Sequence, residues 1–114
     1  MATIDAEQVL ADLRLRLANL GAEAPDQIRY LRLRGRVSVD ELALELDDVL
    51  RLVWIPLEAG RVAEEQLVGA RLVDDMLDSF SGQANAERWT EEALASAEEW
   101  KRVRIAAREA LKRL

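Results

Sequence analysis

Apolar residues recur every three or four positions through most of this chain, and that period dictates helices. The clearest run is Val39, Leu42, Ala43, Leu46, Val49, Leu50, Val53 and Trp54, an unbroken stripe along one side of a helix. Asp40, Glu41, Glu45, Asp47, Asp48 and Arg51 fill the remainder of that helix. Strands would instead alternate apolar and polar residues at every second position. Composition agrees with the period. Ala, Leu, Glu and Arg dominate, all good helix formers, while the 114 residues include only five Gly and two Pro, Pro25 and Pro56.

The helix boundaries follow from caps and breakers. A first helix is predicted over about 6–20, opened by Asp5 with Gln8 in a capping box and closed by Gly21. Its inward face is Ala6, Val9, Leu10, Leu13, Leu17 and Leu20. Residues 22–37 read two ways. Pro25 suits the first position of a helix that turns Ile28, Tyr30 and Leu31 inward, whereas 31–37 alternates like a strand. A lone strand has nothing to pair with, so a short helix ending at Gly35 is preferred.

The third helix is expected to open with a Ser38–Glu41 capping box and to end near Trp54, because the residue before Pro56 is pushed out of helical geometry. A fourth, over about 62–80, turns Gly69, Ala70, Val73, Met76, Leu77 and Phe80 inward, with Arg71 and Asp75 spaced for an i,i+4 ion pair. After a loop at 81–89, Thr90 caps a short helix to about Ala95, and a Ser96–Glu99 box opens the last one. That helix turns Trp100, Val103, Ala107, Ala110, Leu111 and Leu114 inward. No repeat of solenoid length is present. The reading is all-α: a helical bundle of four main helices plus one or two short ones, in a single domain spanning 1–114.

Missing residue types narrow the chemistry. The chain has no Cys and no His. Disulfides, thiolate nucleophiles and Cys-ligated metals are excluded, and so are the usual general base and the commonest metal ligand. A Ser or Thr nucleophile would lack its ordinary activating partner. No apolar run approaches the roughly 18 residues of a membrane span. The opening Met1-Ala2-Thr3-Ile4-Asp5 lacks the basic and apolar regions of a signal peptide. A cytoplasmic, non-membrane protein without a cofactor is the expectation.

Charge is segregated along the chain. Residues 1–36 carry 6 basic and 5 acidic side chains, net +1; residues 37–100 carry 4 and 16, net −12; residues 101–114 carry 6 and 1, net +5. Such segregation bears on partners and association rates. The acidic middle is expected to meet a protein partner, with the basic last helix lying along part of it. The arginines 29, 32, 34 and 36, with Arg14 and Arg16, form a small basic cluster. In so acidic a chain, salt bridges to the middle stretch suit it better than nucleic acid does.

Two carboxylate strings resemble metal motifs. Asp74-Asp75-Met76-Leu77-Asp78 has the DDxxD spacing with which isoprenoid synthases hold magnesium-bound diphosphate. This chain is too short to enclose the cavity those enzymes need, so a solvated helix face is the preferred reading. Glu45 and Asp48 form an ExxD pair, as in MazG-like nucleotide pyrophosphohydrolases, which also carry an ExxE on an earlier helix. That ExxE is missing here. No metal ligand is assigned. Trp54 and Trp100 suit core packing, whereas Trp89, in a loop before a cap, is a candidate partner contact. Leu15, Leu44, Leu52 and Ile105 fall off their core stripes; Leu44 and Leu52 flank Asp48 on one helix.

The stretch from Val39 to Leu50, followed by Ile55-Pro56-Leu57, resembles small bacterial immunity proteins of the MafI type, which pair an Ala-Leu-Glu helix with a nearby Ile-Pro or Val-Pro. The likeness covers about 30–40 of the 114 residues and leaves 89–114 without a counterpart. It implies a protein that neutralises a cognate secreted toxin by direct binding. It transfers no functional residue. On charge alone, the partner-binding candidates are Glu45, Asp47, Asp48, Asp74, Asp75 and Asp78, with Trp89 added for its position. A basic toxin domain is the partner such a surface would steer. The alternatives are a magnesium-dependent pyrophosphohydrolase and a self-associating bundle, a homodimer in its simplest form.

Overall fold

A computed structural model of the chain describes residues 4–35 and 37–114. Arg36 of the basic cluster and the opening Met1-Ala2-Thr3 lie outside the described residues. Among the described residues there are seven α-helices and no strand: α1 (Ala6–Gly21), α2 (Ala24–Leu33), α3 (Asp40–Leu50), α4 (Trp54–Glu58), α5 (Glu64–Ser79), α6 (Glu91–Ser96) and α7 (Glu98–Lys112). A 3-10 segment, Gln83–Trp89, fills the expected loop between α5 and α6. The chain is all-α.

The long helices close a ring. α1 packs against α7 and α3, and α5 packs against the same two. α2 lies against α6, and α4 against α1. The enclosed core is one continuous cluster that includes Leu13, Leu17, Leu20, Leu46, Leu67, Val73, Trp100, Val103 and Ala107, all essentially without solvent contact. Burying one such side chain fully stabilises the fold by roughly 1.5–3 kcal/mol.

Several local expectations hold. Asp5 Oδ1 accepts from Gln8 N at 2.8 Å and Gln8 Oε1 accepts from Asp5 N at 3.3 Å, so the first capping box forms. Pro25 sits in the first turn of α2, where its missing N–H costs nothing. Gly35, with φ of +91°, takes the chain out of that helix in a conformation that side-chain-bearing residues rarely adopt. Thr90 Oγ1 accepts from Ala93 N at 3.0 Å and caps α6.

Other expectations fail for physical reasons. Val39, at the cap position of α3, is already in helical geometry, so the Ser38–Glu41 box does not close; Ser38 Oγ accepts only from Asp40 N, at 3.3 Å. Ser96 Oγ donates backwards to Glu92 O at 2.9 Å, and α7 opens at Glu98 without a side-chain cap. Pro56 does not terminate the third helix. That helix stops at Leu50, a turn covers 51–53, and Pro56 lies inside α4. It is the third residue of α4, where the helix needs no N–H from it. The extra turn carries Trp54 off the core stripe, leaving it 56 % exposed. Arg71 pairs with Glu64 at 3.2 Å and not with Asp75.

Candidate functional site

α3 carries five carboxylates and no base; α5 carries five carboxylates and one arginine. The two helices pack side by side. Fold and charge divide their carboxylates into distinct groups.

Glu45 faces inward. It is only 9 % exposed and accepts hydrogen bonds from Arg16, from Arg34 Nη1 at 3.0 Å and from the Tyr30 hydroxyl at 2.6 Å. Arg34 also donates to the Tyr30 hydroxyl at 2.6 Å and lies over its ring, 5.4 Å from the centroid. The hydrogen bond to Tyr30 and the nearby Glu45 charge hold the Arg34 guanidinium above its ordinary pKa. This network joins α1, α2 and α3. Glu45 is thus a counter-ion to two arginines of the fold, largely shielded from solvent. The basic cluster does find acidic residues, as its composition suggested: Arg16 and Arg34 meet Glu45, and Arg32 meets Glu91 of α6 at 2.8 Å.

Asp47 is half-buried and binds Arg51 one turn on, at 3.0 Å. Asp48, Asp75 and Asp78 are exposed. Among the described residues, none of these three, nor Asp40 or Asp74, has a cation within ion-pairing distance. Asp74 is half-buried. Its carboxyl is pushed above the usual carboxylate range, first by that burial and then by the charges of Asp47, Asp78 and Asp75, with Arg51 opposing. Asp47 on α3 and Asp74 on α5 therefore share one acidic seam.

An apolar groove opens between α3 and the segment that follows α5. Asp78 lies three residues before Ser81, where Ser81 Oγ bonds back to Leu77 O at 2.8 Å and Gly82, with φ of +97°, reverses the chain. The 3-10 segment that follows faces α3. Asp40, Ala43 and Leu44 form one wall of the groove, and Ser81, Gly82, Gln83, Ala86 and Trp89 the other, around a volume of about 510 Å³. Leu44 is 51 % exposed, on the α3 face it shares with Asp40 and Asp48 at i±4 spacing.

Trp89 is fixed from behind. Its Nε1 donates to Phe80 O at 2.7 Å, its ring stacks on Phe80 at 5.1 Å, and it meets Trp100 edge-on at 5.2 Å. Trp100 Nε1 in turn donates to Arg88 O at 2.7 Å. One side of the half-buried Trp89 thus belongs to the core cluster while the residue also lines the groove. Of the off-stripe apolar residues, Leu15, Leu44 and Ile105 are exposed, whereas Leu52 packs against the core.

The carboxylate strings do not converge on a common point. Among the described residues, no group of three or more acidic side chains is arranged to hold a metal ion. In the ExxD pair, Glu45 is held by its arginines while Asp48 points to solvent. The basic last helix lies along α5, part of the acidic middle, but its cations form no ion pair with the seam among the described residues. Lys101 and Lys112 pair within α7, with Glu98 and Glu109, and Arg108 reaches Glu23 at 2.7 Å. No helix is long and apolar enough to cross a membrane, among the described residues.

The buried pair Arg104 and Gln27, and the groove residues Ala43, Gln83 and Ala86, carry no distinguishing pattern in the sequence. Leu44 was the available signal for the groove, an apolar residue among carboxylates off the core stripe. Compared with known proteins, the chain matches no family model, no curated protein and no solved structure.

Proposed function

We propose that this protein is a non-enzymatic, cytoplasmic binding module that captures a cationic protein, in the manner of an antidote that covers a basic toxin. The observation that supports this reading most is the set of carboxylates on α3 and α5, Asp48, Asp74, Asp75 and Asp78, none of which forms an ion pair among the described residues. Uncompensated surface charge of one sign speeds encounter with an oppositely charged partner, and does so most at low ionic strength. The resemblance to MafI-type immunity proteins points the same way. A rigid core behind the surface suits a stoichiometric binder, because little ordering is required on association.

The test is capture from the native host with two baits, the wild-type chain and an Asp48→Lys, Asp75→Lys, Asp78→Lys variant. A basic protein retained by the first and lost from the second at equal salt supports the reading, provided that protein is toxic to cells lacking the chain. Equal retention by both baits would remove the acidic face from the interface. A captured protein without toxicity would overturn the antidote role.

Self-association is the second reading. It draws on Val68 and Leu72, one turn apart on α5 and 62 % and 54 % exposed. Sedimentation across a range of concentrations decides it: a monomer throughout removes this reading.

A further inference from the structure

We infer that the groove between α3 and the 3-10 segment is a socket for one apolar anchor residue of the partner, presented on a segment whose neighbouring residues are Lys or Arg. The inference rests on the binding role proposed above and specifies the chemistry that the partner must bring.

The floor is apolar and already built. Leu44 and Ala43 come from α3, Ala86 and Trp89 from the 3-10 segment, and the space between is about 510 Å³, enough for a large side chain and its neighbours. Trp89 cannot swing away to fill it, since its Nε1 is bonded to Phe80 O and its ring is held between Phe80 and Trp100. A pre-formed pocket of this kind avoids the ordering cost that weakens flexible surfaces.

The surroundings select the sign of the partner's charge. Asp40 forms part of the groove wall, Asp48 lies one turn beyond Leu44, and Asp78 leads into Ser81 at the opposite wall. None of the three carboxylates has a cation of this chain within ion-pairing distance, among the described residues. An anionic segment, or another acidic face of the same kind, would meet these charges unpaired. A segment with one Leu, Met or Phe between basic residues satisfies both the floor and the rim. The arrangement is that of an interface hot spot: an aromatic-lined pocket at the centre and charges around it.

The full chain can be titrated with a labelled 18-residue amphipathic peptide of Leu and Lys. Two controls accompany it, one with every Leu replaced by Gln and one with every Lys replaced by Glu. The Leu/Lys peptide should bind about tenfold more tightly than the Gln/Lys peptide, the gain expected from burying one apolar side chain. Leu44→Gln, at an exposed position, should erase that difference while leaving the melting temperature unchanged. Equal binding of the Leu/Lys and Gln/Lys peptides, both lost in salt, overturns the socket and leaves the acidic face standing. Equal binding of the Leu/Lys and Leu/Glu peptides overturns the cationic partner, and with it the proposed function. Binding to none of the peptides overturns the socket alone, since capture from the host tests the acidic face separately. A dimer that dissolves on Leu44→Gln would assign the groove to a second copy and overturn the inference.

Discussion

Arg104 of α7 and Gln27 of α2, 77 positions apart, meet in the buried interior: Nε and Nη2 of the guanidinium lie 3.1 and 2.9 Å from Gln27 Oε1. Arg104 also donates to Leu94 O, near the end of α6, while Gln27 Nε2 donates to Asn19 O and Leu20 O, near the end of α1, at 3.0 and 3.1 Å. Two helix C-termini, whose carbonyls carry partial negative charge, thus converge on this pair. Burial lowers the pKa of Arg104, opposed by the more distant charge of Glu23. Gln27→Leu removes the acceptor of two guanidinium nitrogens, leaving Arg104 only Leu94 O, and takes a donor from Asn19 O and Leu20 O. It should cost about 3 kcal/mol in urea unfolding. Adding Arg104→Met to it should recover much of that loss; a double variant no more stable than the single one would contradict this account.

Gly69 sits where α5 crosses α7. A Cβ there would fall 2.9 Å from Ala110 Cα and 3.0 Å from Ala110 Cβ. Helix propensity alone favours Gly69→Ala by about 1 kcal/mol. The clash is with backbone, which cannot rotate aside, and forcing the helices apart costs about 1–3 kcal/mol. The melting temperature of Gly69→Ala should therefore fall, and that of Gly69→Val should fall further. A rise for the Ala variant would show that the seam can open.

Glu45 and Asp48 stand three residues apart on α3 and have opposite fates. Glu45→Ala removes the acceptor shared by Arg16, Arg34 and Tyr30, leaving Arg16 only the carboxylate of Asp12, and should destabilise by about 1–3 kcal/mol. Asp48→Ala removes an exposed, unpaired charge and should change stability by less than about 0.5 kcal/mol. Partner affinity should move in the reverse order. Thermal melts and one binding titration on both variants check the two halves together.

Asp74 makes stability depend on pH with a defined sign. Its carboxyl is raised above the ordinary value, chiefly by burial and then by Asp47, Asp78 and Asp75. Between the unfolded and folded pKa the native chain holds the extra proton, so stability falls as pH rises through that window. Above the folded value the deficit is complete. Asp74→Asn should melt higher than wild type at neutral pH, and the gap should close as pH drops below the ordinary carboxylate range. A variant that melts no higher at pH 7 refutes the assignment.

Much of the architecture was written locally. The Asp5–Gln8 and Thr90 caps, the end of α2 at Gly35, and the stripes of α1, α5 and α7 depend on residues within one turn of each other, so spacing reveals them. The break after Leu50 was hidden, because a proline inside the first turn of a new helix looks the same in sequence as one that ends the old helix. Ser38 and Ser96 had the right partners for capping boxes, but the backbone at the cap of α3 and the backward bond of Ser96 were not visible.

The chain by itself determined an all-α fold, the inward faces of α1, α5 and α7 and the acidity of its middle. Only tertiary structure decided how that acidity is used. Arg16 and Tyr30 reach Glu45 from 29 and 15 positions away and remove it from the surface, while Asp48, Asp75 and Asp78 keep their charge in water. It also brought Leu44 and Trp89, 45 positions apart, to the two walls of one groove. The reason is range: helical period acts over three or four residues, whereas counter-ions and pocket walls are chosen by which helices pack side by side.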